Sequence, residues 1–205
     1  MSIKLNHADA NDISTSCDLI LTDPPFELSG KELVQVFRKV ACSHLVLICS
    51  MHQLIEFLSE SKYQDNKHWQ LAFDFVIDFR APKKSKNIRQ PHYTHATGAY
   101  LTRKGSKSRF NRKLRERSDA FDNNGYWSTV IHAPRERAGE HGMAKNQTAI
   151  TDILGSFDDT KTVYDPFAGS GTTGLAAYEL GLDCELTERD ADYFELLQKT
   201  FRFLS

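Results

Sequence analysis

The sequence predicts an α/β fold: a doubly wound, seven-stranded, mostly parallel sheet with helices on both faces. Two observations predict it. Apolar runs of strand length alternate along the chain with segments of helical apolar period, and no internal repeat breaks the alternation. Two of the strands run into Pro- or Gly-rich turns, at the end of such a sheet where ligands bind.

The elements follow in order. Ile3 to Leu5 is a short strand, and Asp18 to Thr22 is a buried one stopped by Asp23-Pro24-Pro25. Residues 30–40 put Leu33, Val36, Phe37 and Val40 on one helix face. His44 to Cys49 is a buried strand, followed by a helix to about residue 59. Trp69 to Phe79 reads as a long strand and Ala96 to Thr102 as another. Residues 103–125 are polar, basic and turn-rich, either a flexible loop or a small insertion. A helix over 143–157 precedes a strand at Thr162 to Tyr164, a helix at Thr172 to Leu180 and a strand at Leu182 to Thr187. The last helix runs from Asp190 to about Phe201.

The 205 residues suffice for one domain with a real core, so residues 1–205 are expected to form a single unit. Unbroken apolar stretches are only a few residues long, so no membrane-spanning helix fits. The first ten residues lack a signal-peptide apolar region, and a cytoplasmic location is expected. Cys17, Cys42, Cys49 and Cys184 are scattered among apolar neighbours. Cys42, His44, Cys49 and His52 are zinc-ligand types, but they occupy a strand running into a helix and lack zinc-site spacing. Reduced thiols and no metal are expected.

Charge is unevenly placed. Between Arg80 and Arg117 lie thirteen of the 26 Lys/Arg residues but only one of the 27 acids, Glu116. That segment carries +12 and the remainder −13, within a chain of net charge −1. Such segregation points to a polyanionic partner, most simply nucleic acid.

The run Val163 to Gly174 passes from strand to helix through Asp165-Pro166-Phe167-Ala168-Gly169-Ser170-Gly171-Thr172. Its glycines permit a tight turn and close backbone approach to a ligand at a helix N-terminus. The next strand ends at Glu188, an acid placed to bond two ribose hydroxyls. The pattern also fits a dinucleotide fingerprint, but only one strand and one helix follow the acid, so a sequential NAD domain would run out of chain. No Lys follows the glycines, which disfavours a triphosphate loop.

Asp23-Pro24-Pro25-Phe26 follows a buried strand, and two prolines fix its backbone. The Asp23 carboxylate, the Pro24 carbonyl and the Phe26 ring are thereby held at one strand end. An exocyclic base amine is a poor nucleophile because its lone pair is delocalised into the ring. Two acceptors on its two N–H groups favour a pyramidal nitrogen aimed at a methyl donor. An aromatic ring beside them can stack on a base swung out of the helix.

These two motifs together resemble the catalytic and cofactor motifs of amino-group DNA methyltransferases. The catalytic motif comes first, which resembles the circularly permuted β-class order, and the resemblance covers nearly the whole chain. It implies a Rossmann-like methyltransferase fold, S-adenosyl-L-methionine as cofactor and transfer to adenine N6 in DNA. It implies Asp23, Pro24, Pro25 and Phe26 as catalytic residues. It implies Asp165, Phe167, Gly169, Ser170, Gly171, Thr172 and Glu188 on the cofactor. Asn6-His7-Ala8-Asp9-Ala10 resembles the family's acidic turn against the cofactor adenine, which makes Asp9 a candidate. His141 to Asn146 stands where the family has a His-Pro-x-x-Lys-Pro stretch, giving Lys145 as a further cofactor contact, although both prolines are replaced here.

The family usually carries a larger target-recognition region. Here only about residues 80–130 are available, implying a short target, weak sequence preference or recognition shared across a homodimer. Arg89, Arg103, Lys104, Lys107, Arg109, Arg112, Lys113, Arg115 and Arg117 are the candidate DNA-phosphate contacts. Asp at the first motif position resembles adenine enzymes more than cytosine-N4 enzymes. RNA methylation would use the same chemistry. A dinucleotide-dependent oxidoreductase and a catalytically silent nucleic-acid-binding protein are the alternatives from other classes.

Overall fold

In the computed structural model, residues 1–64, 66–83, 88–89, 91–111, 127–133 and 146–202 are described. The chain forms β1 (Ile3–His7), β2 (Thr15–Ser16), β3 (Leu19–Thr22), α1 (Gly30–Arg38), β4 (Val40–Ala41), β5 (His44–Cys49), α2 (Met51–Gln64), β6 (Trp69–Lys83) and β7 (Tyr93–Arg103). It continues with β8 (Val130–His132), α3 (Gln147–Leu154), β9 (Thr162–Asp165), α4 (Thr172–Glu179), β10 (Asp183–Glu188) and α5 (Ala191–Phe201).

Among the described residues the main sheet has eight strands in the order β1-β10-β9-β3-β5-β7-β6-β8, and β2 and β4 form a small separate pair. Pairing is parallel from β1 through β5. β7 is antiparallel to both β5 and β6, and β8 is parallel to β6. Among the described strands of this sheet only β7 therefore runs against the others, and the carboxyl ends of the other seven share one edge. The first strand lies beside the last, with Ile3 opposite Cys184 and His7 opposite Glu188.

All seven expected strands form, and among the described residues the main sheet has one more. β8 is the addition, and its three residues, exposed-buried-exposed, are too few to carry a readable period. Helix α2 also runs past residue 59 to Gln64, through residues of good helix propensity. Residues 143–145 of the expected third helix lie outside the described residues.

Both faces of the sheet are covered, which explains why β5 is buried along its whole length. Val46 and Ile48 face one core with Ile150, Ile153, Ala176, Leu197 and Phe201 of α3, α4 and α5. Leu45 and Leu47 face the other with Leu33, Phe37, Leu54 and Phe57 of α1 and α2. Truncating one of these, as in Leu47→Ala, costs about 2–5 kcal/mol, the lost burial plus the cavity left behind. Among the described residues no helix is long and apolar enough to cross a membrane.

Candidate active site

The turns after β1, β3, β5, β9 and β10 line a single cleft of about 1560 Å³ at the carboxyl edge. The start of β7 closes one side, with His92, Thr94 and His95 on its wall. The two sequence motifs meet here: Asp23 to Phe26 and Asp165 to Ser170 line the same cavity, as do Asp9, Thr172 and Glu188.

Asp165 joins the motifs physically. It is 3% exposed at the end of β9. One carboxylate oxygen accepts the Thr22 hydroxyl at 2.6 Å and the Phe167 N–H at 3.0 Å. The other accepts the Thr173 hydroxyl at 2.7 Å. The last residue of the catalytic-motif strand is thus tied to the cofactor-motif turn and to the first turn of α4. Burial pushes the Asp165 carboxyl up to about 6, against the pull of these three bonds. Sequence reasoning assigned Asp165 to the cofactor, and the structure gives it a scaffold duty as well. It missed Thr22 and Thr173, whose signal is a threonine at a buried strand end and another inside the glycine turn.

The glycines divide the work. Gly169 has φ +51°, and a Cβ there would meet nothing within 4 Å, so its backbone is open for close approach. Gly171 has φ +89° and caps α4, and a Cβ there would lie 2.7 Å from Leu197 Cδ2 and 2.9 Å from Phe201. Gly171 thus serves α5 packing and does not line the cleft. At Gly174 a Cβ would lie 2.6 Å from Leu186 Cδ1 and from Phe201, so this glycine lets α4 press onto β10 and α5.

Glu188 ends β10 and links two turns. One oxygen accepts the Gly169 N–H and the other the Asp190 N–H, both at 2.8 Å. Each oxygen keeps acceptor capacity toward the cleft. Asp9 lies on the neighbouring turn, after β1, with one oxygen 2.8 Å from the Asn11 N–H and the other 3.8 Å from Arg189 Nη1. The Asn11 amide holds the Asp9 carboxyl below its usual range.

On the target side Pro24 is buried, Asp23 is half-buried and Phe26 is 57% exposed at the mouth. Cys49 lines the same wall. Burial, with the charge of Asp23 adding to it, pushes its thiol up to about 12, so it stays protonated and is no nucleophile at neutral pH. Among the described residues no group of three or more His, Cys, Asp or Glu is arranged to hold a metal.

The described basic residues separate between the two edges of the sheet. Because β7 is reversed, Arg103 at its end lies at the amino edge beside Ser43, about 20 Å from the Cys49 end of β5 at 3.3 Å per residue. Its guanidinium sits 4.2 Å over the Trp69 ring and donates to the Phe37 and Lys67 carbonyls. Arg109 pairs with Asp18 at 3.1 Å, just before β3. Lys104 and Lys107 are exposed at the same edge, Lys107 beside Asp18 and Arg109 in a small pocket. Arg89 lies between β6 and β7 on the cleft side, two residues before Pro91 of the cleft wall. Arg112, Lys113, Arg115, Arg117 and Lys145 lie outside the described residues.

A profile of the N6/N4 methyltransferase family, described as DNA methylase, matches residues 48–199, more than half of the chain. Type II methyltransferase M2.LlaDCHI of Lactococcus lactis subsp. cremoris is 27% identical over 130 residues, 60% of this chain and 48% of the relative. Type II methyltransferase M2.DpnII of Streptococcus pneumoniae is 28% identical over the same shares. The chain thus matches about half the length of these curated relatives. Among solved structures, the M1.HpyAVI–SAM complex superposes with a TM-score of 0.74 at 22% identity, over 97% of this chain and 99% of that one. The cytosine-N4-specific PvuII DNA methyltransferase gives 0.69 at 16% identity, over 100% of this chain and 87% of that one. The mixed α/β sheet is therefore a methyltransferase fold.

Proposed function

The chain belongs to the N6/N4 DNA methylase family, and we propose that it transfers a methyl group from S-adenosylmethionine to the N6 amino group of adenine in DNA. The observation that carries this reading is the Thr22–Asp165–Thr173 tie, which sets the acceptor motif and the glycine turn in walls of one cleft. At about 1560 Å³ the cleft exceeds the roughly 300–1,000 Å³ of ordinary ligand pockets, room for a nucleoside-sized cofactor and a base together.

The residues present fit that cofactor. Gly169 offers open backbone, Glu188 a carboxylate for ribose hydroxyls, Asp9 a second carboxylate on the turn after the adjacent strand β1, and Phe167, Ser170 and Thr172 further wall. When bound, S-adenosylmethionine supplies a methyl group on a sulfonium, ready for direct displacement. The chain's task is to hold the acceptor. Asp23 and the Pro24 carbonyl take the two N–H groups of the amine and turn its lone pair toward the methyl carbon. Phe26 stacks on the extruded base. Approach to about 3 Å must be enforced by binding. No covalent enzyme intermediate is needed, consistent with the protonated Cys49 thiol.

Adenine is preferred because Asp opens the catalytic motif. Cytosine N4 is the second reading, favoured by the shared fold of the PvuII enzyme. The test is transfer of labelled methyl from S-adenosylmethionine to unmethylated duplex DNA, followed by nucleoside analysis. N6-methyladenine is the expected product. N4-methylcytosine would replace adenine by cytosine, and no labelled base despite cofactor binding would overturn the proposal.

A further inference from the structure

Helix α2 begins with a reciprocal cap. Ser50 Oγ accepts the Gln53 N–H at 3.2 Å, and Gln53 Oε1 accepts the Ser50 N–H at 3.1 Å. Gln53 is 3% exposed. Its other end does something a cap does not require: Nε2 donates to the Pro25 and Leu28 carbonyls, both at 2.9 Å. Every polar group of the amide is thus used, and the partners fix its orientation, with donors facing Oε1 and acceptors facing Nε2.

A second cap of the same kind occurs 21 positions earlier, at α1. There Ser29 and Glu32 bond reciprocally, at 2.8 Å from the Ser29 N–H to the carboxylate and 3.3 Å from the Glu32 N–H to Ser29 Oγ. That carboxylate has no N–H to give. Glu and Gln serve a capping box alike, so capping does not explain why position 53 holds an amide. The two carbonyls do. A carboxylate at position 53 would still cap α2 but would set a second oxygen against Pro25 O and Leu28 O.

The strapped loop is poor in bonds of its own, because Pro24 and Pro25 have no N–H. Its internal bond runs from the Leu28 N–H to Pro25 O at 3.2 Å. We infer that Gln53 is a positioning residue for the acceptor loop: it straps the peptide that follows the Pro24–Pro25 unit to the β5–α2 corner, and so fixes how the Pro24 carbonyl and Phe26 meet the base. The inference rests on the reading of Asp23–Phe26 as the methyl-acceptor site.

The test compares wild type, Q53E and Q53L in methyl transfer to DNA, S-adenosylmethionine affinity and amide exchange of residues 26–29. A misplacement of the order of 1 Å costs about a hundredfold in rate, so kcat in both variants should fall 10- to 100-fold at about pH 8 with cofactor Kd within about threefold. The Q53E deficit relative to wild type should shrink toward about pH 6 as the new carboxyl gains a proton to donate, whereas the Q53L deficit should not. Exchange in the loop should quicken in both. Q53L adds no buried charge and carries the test if Q53E does not fold. Rates within about threefold of an active wild type, or unchanged loop exchange in Q53L, would overturn the strap. A wild type that binds cofactor but methylates no nucleic acid would sink the reading of the site. Loop exchange in Q53L would still decide the strap.

Discussion

The two edges of the sheet use similar residues for opposite ends. At the amino edge, Arg109 neutralises Asp18, whose carboxylate also accepts the Lys161 and Thr162 N–H groups at 3.0 Å, and Arg103 is spent on Trp69 and two carbonyls. At the carboxyl edge, Asp9, Asp23 and Glu188 face a cleft instead. A cation or acid whose partners are all within the fold is scaffold, and one aimed into a cavity is available for chemistry. Charge counting along the chain locates a basic segment. Strand direction then sorts its members between the edges.

The sharpest break between the edges is at Asp23. Asp23→Ala should lower methyl transfer about 10³-fold or more while leaving cofactor Kd within about tenfold, measured by labelled transfer and calorimetry. A variant losing cofactor binding and activity together would place Asp23 on the cofactor.

The glycine turn offers a finer contrast. Gly171→Ala should cost about 2–4 kcal/mol in stability, since a Cβ there meets Leu197 and the left-handed backbone adds strain. Gly169→Ala should cost only about 1–2 kcal/mol of backbone strain, yet weaken cofactor binding at least tenfold. Denaturation and calorimetry on the pair separate packing from binding.

Asp165 makes a prediction in pH. Its folded carboxyl is raised to about 6 from an ordinary 3.8, so its contribution favours folding below the unfolded value and is lost as pH rises through about 6. A rise of that size corresponds to about 3 kcal/mol. Asp165→Asn keeps acceptance from Thr22 and the Phe167 N–H and can donate to Thr173. Its stability relative to wild type should therefore rise by up to about 3 kcal/mol between about pH 4 and 7. A constant difference across that range would show Asp165 ionising freely in the fold.

Much of this was legible in the sequence. Buried strands such as Asp18–Thr22 and His44–Cys49 announce themselves because both sheet faces are covered, leaving unbroken apolar runs. The two motifs predicted the cleft walls because turn chemistry is local. What was not legible is non-local. The period of a strand carries no direction, so the reversal of β7 that takes Arg103 and Arg109 to the far edge has no signature. The three-residue β8 is too short for a pattern. The GxGxxG spacing does not say which glycine meets the ligand and which meets Leu197. The role of Gln53 has no local signal, because the Pro25 and Leu28 carbonyls that use its amide come from 28 and 25 positions away.

The most direct test of which edge works on DNA is the salt dependence of binding for two neutralised proteins. One carries Gln in place of Arg80, Lys83, Lys84, Lys86 and Arg89, at the end of β6 and in the sequence joining it to β7. The other carries Gln at Arg103, Lys104, Lys107 and Arg109. Each cation withdrawn from a phosphate should lower the slope of log K against log salt by about 0.9. The first protein should bind about 10²-fold more weakly at low salt, with a slope reduced by about 2 or more. The second should keep the wild-type slope and lose about 1–3 kcal/mol of folding stability from the broken Arg109–Asp18 pair and the Arg103 interactions. A flattened slope in the second protein and an unchanged one in the first would contradict the proposal that DNA meets the carboxyl edge, where the cleft opens.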